Sequence, residues 1–437
     1  MANARETALL TLYKIEYEGA YSNIELKKTL SAAKLSQSDA GLVTVLVYGI
    51  LQREITLEYV IEQYSSIKIK KISKYILIIL KIGLYQILYM DKIPESAAVD
   101  ECVKLAKKYG FKSSGFVNGV LRSFLRNEKK ISFPTDKIEK AAAENSFPKM
   151  LVEEWINRFG YDFACELMKS LNEIAPMCVR VNLLKTDKEK MLAQLENAEA
   201  GKISPSAIYT KGFDVGTSSE YKEGLIMPQD EAAMLACEIL APKKGDVVID
   251  LCAAPGGKTT YIAQLMENKG KILAFDIHEH KIQLITENAK RLGIDIISAY
   301  EGNSSEYNEN YRECADCVLA DVPCSGLGII RKKPEIKKRY QKSEELYEIQ
   351  YKILENAAKY LKIGGSLVYS TCTIETEENE KIISKFLKEH NEFETVDISS
   401  YFKNEKASAK KGYVTLYPNA DGTDGFFIAK LEKGALK

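Results

Sequence analysis

The sequence lacks the features that would assign a chain of this length to a secreted class. No N-terminal apolar stretch precedes a small-residue cleavage site, which argues against a secretory leader. The nine cysteines are odd in number and follow no short repeating spacing, so the sequence does not indicate a disulfide framework. We therefore expect a cytoplasmic protein whose thiols are reduced.

Membrane spans and metal-ligand patterns are also scarce. The apolar run at 75–89 is shorter than a bilayer span and is interrupted by Lys81, so it predicts a buried core helix. Cys314 and Cys317 form a C-x-x-C, but no second pair accompanies it. We interpret these two cysteines as packing residues, and we expect neither a metal nor a membrane partner.

Net charge gives no global argument for a nucleic-acid partner, because 61 basic residues balance 61 acidic ones. Local charge differs at 331–339, where basic residues outnumber the acid Glu335. A basic run is usually a solvated face. This one follows a candidate reactive cysteine, Cys324, and we therefore expect it to contact nucleic-acid phosphates.

Hydrophobic periodicity divides the chain into three parts. Apolar residues at three- and four-residue spacing predict helices throughout 5–126, and helices followed by one strand predict a small α+β module. Later, strands alternate with turns and helices, which requires crossover connections and predicts a doubly wound, mostly parallel α/β sheet. The predicted domains are 1–130 (all-α), 145–225 (small α+β linker module) and 226–437 (α/β). The predicted α/β strands are 247–251, 271–275, 294–299, 317–320 and 366–369.

A loop with two adjacent glycines follows the first of these strands. Residues 250–260 read Asp-Leu-Cys-Ala-Ala-Pro-Gly-Gly-Lys-Thr-Thr, so a ligand can approach the backbone and reach free amides at a helix start. The loop is neither G-x-G-x-x-G nor G-x-x-x-x-G-K-[ST], which argues against NAD and against an NTPase. Asp276 ends the next strand, where doubly wound folds place an acid on a ribose diol, although helix capping is an alternative role. Together they indicate an adenosine-bearing cofactor without a polyphosphate.

Two cysteines, Cys324 and Cys372, each follow a predicted strand and close it at a turn. Carbon 5 of cytosine becomes nucleophilic only after a group adds to carbon 6, and a thiolate is well suited to that addition. A second thiol nearby helps to dismantle the adduct. The alternative is that both are small buried hydrophobes, but their polar, turn-forming neighbours argue against it.

The motifs at 252–259, 321–326, 370–373 and 424–427 resemble those of RNA cytosine-5 methyltransferases. In the first part of the chain, 96–101 and 116–122 resemble the NusB-type antiterminator domain, a helical RNA-binding module. The fusion of the two is similar to the bacterial 16S rRNA cytosine-5 methyltransferase family of the RsmB (Sun, Fmu) type. The resemblance implies a Rossmann-like methyltransferase domain that uses S-adenosylmethionine.

The resemblance also implies site residues and partners. Cys372 would be the nucleophile, Cys324 would assist release, and Asp321 would lie between cofactor and cytosine. The implied cofactor-binding residues are Cys252, Ala253, Ala254, Pro255, Gly256, Gly257, Lys258, Asp276, Asn303 and Asp321. The helical domain and the segment 331–339 would bind 16S rRNA, and we expect a monomer.

Asn303 departs from the family, which usually has an aspartate near the adenine amino group. An amide oxygen is a weaker acceptor than a carboxylate, so changing Asn303 to aspartate is expected to tighten cofactor binding. Three alternatives remain open: a tRNA cytosine-5 methyltransferase, a non-catalytic RNA-binding assembly or antitermination factor, and a DNA cytosine methyltransferase. The intact loop and both cysteines oppose the second, and the Thr371-Cys372 motif opposes the third.

Overall fold

The computed structural model describes residues 3–435, which form two compact units. The helical unit contains the described chain up to Ile174 together with Ile330–Tyr340, and the α/β unit contains Ala175–Ile329 and the chain from Gln341. This division does not separate residues 145–174 from the helices before them. The three predicted domain ranges remain predictions.

The helical unit is built from amphipathic helices, as the sequence predicted for 5–126. Their apolar positions recur on one face, and in the longest helix Val43, Leu46, Val47 and Ile50 are all fully buried. Its N-cap, Ser36, accepts a hydrogen bond from the backbone amide of Asp39. The helices are α1 (Ala4–Tyr17), α2 (Ser22–Ala32), α3 (Gln37–Tyr64), α4 (Lys74–Tyr89), α5 (Glu95–Tyr109), α6 (Ser114–Arg126), α7 (Lys137–Asn145), α8 (Lys149–Phe159) and α9 (Tyr161–Leu171).

The two most apolar helices lie in the core of this unit. The run at 75–89 falls in α4, where every residue from Ile76 to Leu84 is buried, which confirms the predicted core helix. Among residues 3–435, only α3 is long and apolar enough to cross a membrane. Since 56% of its most apolar window is buried, α3 has the burial of a core helix.

The α/β unit begins with a small antiparallel sheet in the order β2-β3-β1-β4. Its strands are β1 (Met177–Val181), β2 (Glu199–Ala200), β3 (Ala207–Thr210) and β4 (Ile226–Pro228), and its helices are α10 (Lys188–Gln194) and α11 (Ser219–Lys222). Asp187 caps α10 by accepting a hydrogen bond from the amide of Lys190. Apolar side chains including Val179, Val181 and Ile208 form a separate small core.

The large sheet has the order β10-β12-β9-β8-β5-β6-β7, with β11 paired to β12. Strands β5 to β9 run parallel, and the antiparallel β12 covers the outer side of β9. The strands are β5 (Val247–Asp250), β6 (Lys271–Asp276), β7 (Ile297–Glu301), β8 (Ala315–Asp321), β9 (Leu361–Thr371), β10 (Phe393–Thr395), β11 (Tyr413–Leu416) and β12 (Phe426–Lys433). The predicted doubly wound, mostly parallel sheet is therefore confirmed.

Helices cover both faces of this sheet because its strands are apolar on both sides. In β8, Cys317 and Leu319 pack into one core, and Val318 and Ala320 pack into the other. The remaining helices are α12 (Glu231–Leu240), α13 (Gly257–Leu265), α14 (Glu279–Leu292), α15 (Ile336–Arg339), α16 (Glu344–Tyr360), α17 (Glu380–Glu389) and α18 (Pro418–Asp421). Short 3₁₀ helices occur at Ile69–Lys71, Phe111–Ser113, Glu309–Tyr311, Leu327–Ile329, Ser399–Tyr401 and Ala409–Lys411.

Two differences from the predicted strands concern the sheet edges. The third parallel strand begins at Ile297 rather than at residue 294, because the chain reaches Ile294 while still closing the end of α14. Strands β10 to β12 were not predicted. Strand β12 pairs with β9, which is distant from it in sequence, and β10 and β11 each pair with β12.

The basic segment 331–339 belongs to the helical unit, and much of it is internal there. The ammonium of Lys337 is buried and donates to Gln52 O, Ser146 O and Asn172 Oδ1 at 2.8, 3.0 and 2.8 Å. Lys338 pairs with carboxylates of α3, and Arg339 donates to backbone carbonyls at the end of α1. The expectation that the whole segment contacts phosphate is therefore wrong for Lys337.

Candidate active site

The glycine loop after β5 is tied to both neighbouring strands. The amide of Leu251 donates to Leu319 O in β8 at 3.0 Å, and the amide of Ala253 donates to Phe275 O in β6 at 2.8 Å. Gly256 adopts φ +96°, and a Cβ there would lie 3.2 Å from the Cα of Ile285. A glycine is required at this position, both for the left-handed backbone and for the close approach of α14.

The first turn of α13 follows directly, so its backbone amides face the end of the loop. Asp276, at the end of β6, lies beside the loop: its Oδ2 accepts from the amide of Ala254 at 3.3 Å and its Oδ1 from that of His278 at 3.1 Å. The N-cap of α14 is His278, so Asp276 is not the capping residue. Its carboxylate instead joins the loop to the second parallel strand.

A cavity of about 410 Å³ opens at the ends of β6 and β7. Phe275, Gly302 and Asn303 are among the residues that line it. Its volume is in the range of small-molecule sites. The cavity has an aromatic wall that includes Phe275, which suits an adenine ring. Outside the cavity lining, Asp276 at the end of β6 offers an acceptor for the ribose, and the first-turn amides of α13 offer donors for the carboxylate of S-adenosylmethionine.

Asn303 lines this cavity, but its amide is engaged locally. Its Nδ2 donates to Glu306 Oε1 at 2.8 Å, and its Oδ1 accepts from the amide and the hydroxyl of Ser305 at 3.1 and 2.8 Å. The carbonyl oxygen that would receive the adenine amino group therefore already accepts two hydrogen bonds. An exchange to aspartate would place a second carboxylate beside Glu306.

Lys258 and Asp321 form an ion pair across the site. Lys258 Nζ lies 2.7 Å from Asp321 Oδ2, and the hydroxyl of Ser370 donates to Asp321 Oδ1 at 2.7 Å. Burial alone would lower the pKa of Lys258, but the charge of Asp321 and its hydrogen bond raise it above the usual value. Both oxygens of Asp321 are thus oriented by groups from α13 and β9.

Asp250 lies beneath the loop and is almost fully buried. Desolvation raises its pKa to about 7, against a hydrogen bond of 2.7 Å from the hydroxyl of Thr259 that favours the carboxylate. The charge of Asp321 also contributes to this raised pKa, and a backbone hydrogen bond from Cys252 opposes it. Asp250 opens the loop motif at 250–260, but its residue type and position alone indicated no role.

The two cysteines meet at the carboxyl ends of adjacent parallel strands. Asp321 of β8 pairs in register with Ser370 of β9, so the turns that follow lie side by side. Cys324 Sγ lies 3.1 Å from Cys372 Sγ, longer than the ~2.05 Å of a disulfide, and both are free thiols. The hydrogen bond with Cys372 and burial raise the pKa of Cys324 well above its usual value, with further contributions from nearby charges.

Glycines bring the closing Asp424–Phe427 motif against this pair. The amide of Gly328 donates to Cys372 O at 3.0 Å, and the amide of Gly425 donates to Gly328 O at 2.9 Å. A Cβ on Gly328 would lie 1.8 Å from Gly425 O and 2.8 Å from Cys372 O. Three chain segments therefore contact each other through backbone alone, and any side chain at Gly328 would separate them.

The structure thus brings together the loop 252–258, Asp276, Asp321, Cys324 and Cys372 at the carboxyl ends of the parallel strands. Asn303 lies at the cavity on the β7 side of these strand ends.

Four polar residues near these strand ends were absent from the sequence analysis. Arg180 of β1 is fully buried and donates to Gly257 O at 2.5 Å and to Thr260 Oγ1 at 2.9 Å, and burial lowers its pKa to about 10. Gln350, Glu378 and Asn379 contact the residues that flank the two cysteines. Only the last two carried a sequence signal, an acidic run at 375–380 that contains Asn379 and follows the Cys372 motif.

Three family profiles match the chain. The 16S rRNA methyltransferase RsmB/F family matches residues 237–432, the NusB family matches residues 2–126, and the RsmF/B-like ferredoxin-like domain matches residues 147–216.

Full-length relatives agree with these matches. A probable ribosomal RNA small subunit methyltransferase B of Bacillus subtilis (strain 168) is 40% identical, over 99% of both chains. One from Synechocystis sp. is 34% identical, over 99% of this chain and 100% of its own.

Two solved structures are similar in fold. The crystal structure of PH0851 superimposes with a TM-score of 0.84 and 27% identity over 99% of both chains. NSun6 from Pyrococcus horikoshii, solved with the S-adenosylmethionine analogue SFG, has a TM-score of 0.60 and 26% identity, covering 66% of this chain and 99% of its own.

Proposed function

The chain belongs to the 16S rRNA methyltransferase RsmB/F family, and on this basis we propose that it methylates carbon 5 of a cytosine in 16S rRNA, with Cys372 as nucleophile and Cys324 assisting release. It is an S-adenosylmethionine-dependent RNA methyltransferase of the ribosomal small subunit. The position on the base and the roles of the cysteines are the proposed parts.

The observation that carries the proposal is the pair of thiols 3.1 Å apart at the ends of β8 and β9. Methylation of an exocyclic nitrogen or a ribose hydroxyl needs no thiol, because those atoms are already nucleophilic. Carbon 5 of cytosine is not nucleophilic by itself, and it becomes so when a thiolate adds to carbon 6. When two thiols are in contact, the second can also donate a hydrogen bond to the sulfur that must depart from carbon 6.

When bound, S-adenosylmethionine supplies an electrophilic methyl group. The loop 252–258 and the first turn of α13 would hold its carboxylate end, and Asp276 its ribose. Asp321 lies at the end of β8, which neighbours β5 in the sheet, and is held by Lys258 and Ser370. There it would face both the cofactor and the base. The target cytosine must leave its stack, which costs a few kcal/mol and favours loops and unpaired ends.

The proposed reaction begins when the Cys372 thiolate forms a bond to carbon 6 and the electron pair of the C5–C6 double bond moves to carbon 5. Carbon 5 would then take the methyl group that S-adenosylmethionine supplies, and the electron pair of the broken S–methyl bond would stay on the cofactor sulfur. A water molecule accepts the C5 proton, the double bond reforms, and the S–C6 bond breaks with its electron pair returning to Cys372. The Cys324 thiol, 3.1 Å away, donates a hydrogen bond to the departing sulfur.

The raised pKa of Cys324 supports this division of roles. A group that assists a departing thiolate must itself keep its proton at neutral pH. The cation of Lys258 also interacts with Cys372, and a nearby positive charge favours a thiolate. We assign RNA binding to the NusB-like helical domain and to Lys332 and Lys333 of the basic segment, since Lys337 is internal.

Mass spectrometry of 16S rRNA nucleosides tests the proposal. A strain lacking the gene should lose 5-methylcytidine at one position, and purified protein with labelled S-adenosylmethionine should restore it on the deficient RNA. Restoration on tRNA instead would favour the tRNA alternative. Restoration of another methylated nucleoside would refute the C5 chemistry, and no methyl transfer to any RNA would favour the assembly factor.

A further inference from the structure

The turn that carries Cys324 is held from both sides by two buried side chains. Gln350 donates from Nε2 to Pro323 O at 2.9 Å, and the amide of Ser325 donates to Glu378 Oε2 at 2.9 Å. Gln350 Nε2 also donates to the same Glu378 oxygen at 2.9 Å, which joins the two contacts. The residues before and after Cys324 are therefore fixed by one connected network.

The turn that carries Cys372 is held in the same way by Asn379, the residue that follows Glu378 in the sequence. The hydroxyl of Thr371 donates to Asn379 Oδ1 at 2.6 Å, and Asn379 Nδ2 donates to Thr373 O at 3.0 Å. Asn379 is fully buried. Its amide uses both its acceptor and its donor on the two neighbours of Cys372.

These two networks share one backbone anchor. Glu378 and Asn379 are consecutive, and the hydroxyl of Tyr369, fully buried in β9, donates to Glu378 O at 2.6 Å. The strand that delivers Cys372 thus also locates the dipeptide that fixes both turns. Glu378 holds the turn of Cys324, and Asn379 holds the turn of Cys372. A displacement of this dipeptide would therefore change the distance between the two sulfurs.

We propose that Glu378 and Asn379 are positioning residues with separate roles: Glu378 holds Cys324 for release of the product, and Asn379 holds Cys372 for attack on carbon 6. The inference rests on the proposed cytosine-5 mechanism. Neither residue needs to touch the substrate, since each acts through the turn that it fixes. The alternative is that both are structural residues whose loss affects folding or every step equally.

Two conservative changes at Glu378 distinguish the effect of its side-chain length from the effect of its charge. In Glu378→Gln the amide oxygen can still accept from Ser325 and Gln350, so we expect nearly wild-type turnover. In Glu378→Asp the charge remains, but the side chain is one methylene shorter and no longer reaches the turn. We expect this variant to accumulate the covalent RNA adduct, as we also expect of Cys324→Ala, with product release slowed about tenfold or more, the scale typical of misplaced groups.

Asn379 is tested on the attack step. In the Cys324→Ala background, where we expect the adduct not to turn over, Asn379→Ala should form the adduct about tenfold or more slowly in a single turnover. Affinity for S-adenosylmethionine, measured by calorimetry on each full-length variant, should stay within about twofold of wild type, because the loop 252–258 is not in this network. Glu377→Ala, which removes a neighbouring acid that pairs with Lys381, is the matched control and should behave as wild type.

The possible results separate this inference from the proposed function. If Cys324→Ala itself forms no adduct, the cytosine-5 mechanism fails. If Cys324→Ala forms the adduct but Glu378→Asp turns over like wild type, or Glu378→Gln fails as Glu378→Asp does, the positioning role of Glu378 is refuted. If Asn379→Ala forms the adduct at the rate of its background, the role of Asn379 is refuted. Loss of cofactor affinity in Glu378→Asp or Asn379→Ala would support the purely structural alternative and refute the inference.

Discussion

Replacing Lys337 by methionine tests whether the basic segment stabilises the helical unit or binds RNA. The ammonium is buried, donates to three oxygens of the helical unit and lies 4.4 Å from the centre of the Phe147 ring. Methionine fills a similar volume but donates nothing. Each oxygen left without a donor costs about 1–3 kcal/mol, partly offset by removing a cation that is costly to bury. We expect a net loss of about 3 kcal/mol.

The pH dependence of this variant has a defined sign. Burial lowers the pKa of Lys337 well below its usual value, so above the folded-state pKa the unfolded chain binds the extra proton. The free energy of unfolding contributed by this group therefore increases with pH, from its folded pKa up to the ordinary lysine value. Lys337→Met should lose that increase.

Urea unfolding followed by circular dichroism, with hydrogen exchange on α3 and α8, measures the effect. Lys338→Met is the control: its side chain is 50% exposed, and Glu54 keeps Lys81 as a partner, so a loss under about 1 kcal/mol is expected. Wild-type stability of Lys337→Met, together with a flatter salt dependence of RNA affinity, would refute the structural role and restore the phosphate contact.

Three further predictions concern charge. The pKa of about 7 at Asp250 means that the folded protein holds a proton that the unfolded chain loses near pH 4, so the free energy of unfolding falls as pH rises through this window. Asp250→Asn should remove that fall and be more stable than wild type above pH 7, by a few kcal/mol at most, and parallel stability curves from pH 5 to 8 would contradict it. Asn303→Asp should weaken S-adenosylmethionine binding several-fold, contrary to the expectation from sequence, because the new carboxylate faces Glu306; tighter binding by calorimetry would reverse this conclusion. Neutralising Lys332 and Lys333 together should flatten the salt dependence of RNA affinity by about 0.7–0.9 in slope for each phosphate that these lysines no longer neutralise, and an unchanged slope would mean a solvated face.

Local patterns were sufficient to predict the parallel sheet and the location of functional residues at the carboxyl ends of its strands, but not the strand order that makes β8 and β9 neighbours. Each strand from β5 to β9 contains a short apolar run that ends at a turn, and the carboxyl ends of parallel strands lie on the same side of a sheet. The positions of Asp276, Cys324 and Cys372 follow from this rule. Strand β12 also begins with an apolar run, residues 426–429, which was not predicted to be a strand, and its position beside β9 depends on pairing between segments distant in sequence.

Tertiary contacts decide the remainder. Whether a basic run such as 331–339 is solvated depends on which oxygens surround it, and Lys337 finds its three acceptors on segments far apart in the sequence. Arg180 likewise reaches Gly257, next to the glycine loop, from another sheet. The expectation that Asn303→Asp tightens cofactor binding did not take Glu306 into account. Glu306 is only three residues away, and a turn brings it into hydrogen-bond contact with the Asn303 amide.

The fate of the RNA in the two cysteine variants tests the central claim most directly. Full-length Cys324→Ala and Cys372→Ala, each incubated with deficient 16S rRNA and S-adenosylmethionine, are compared by denaturing electrophoresis, with Cys317→Ala as a control away from the pair. We predict a covalent protein–RNA band with Cys324→Ala only, because attack is intact and release is impaired, and we predict no band and no methylation with Cys372→Ala while it still binds the cofactor. A band with Cys372→Ala instead would exchange the two roles, and methylation at wild-type rates by either variant would contradict the mechanism.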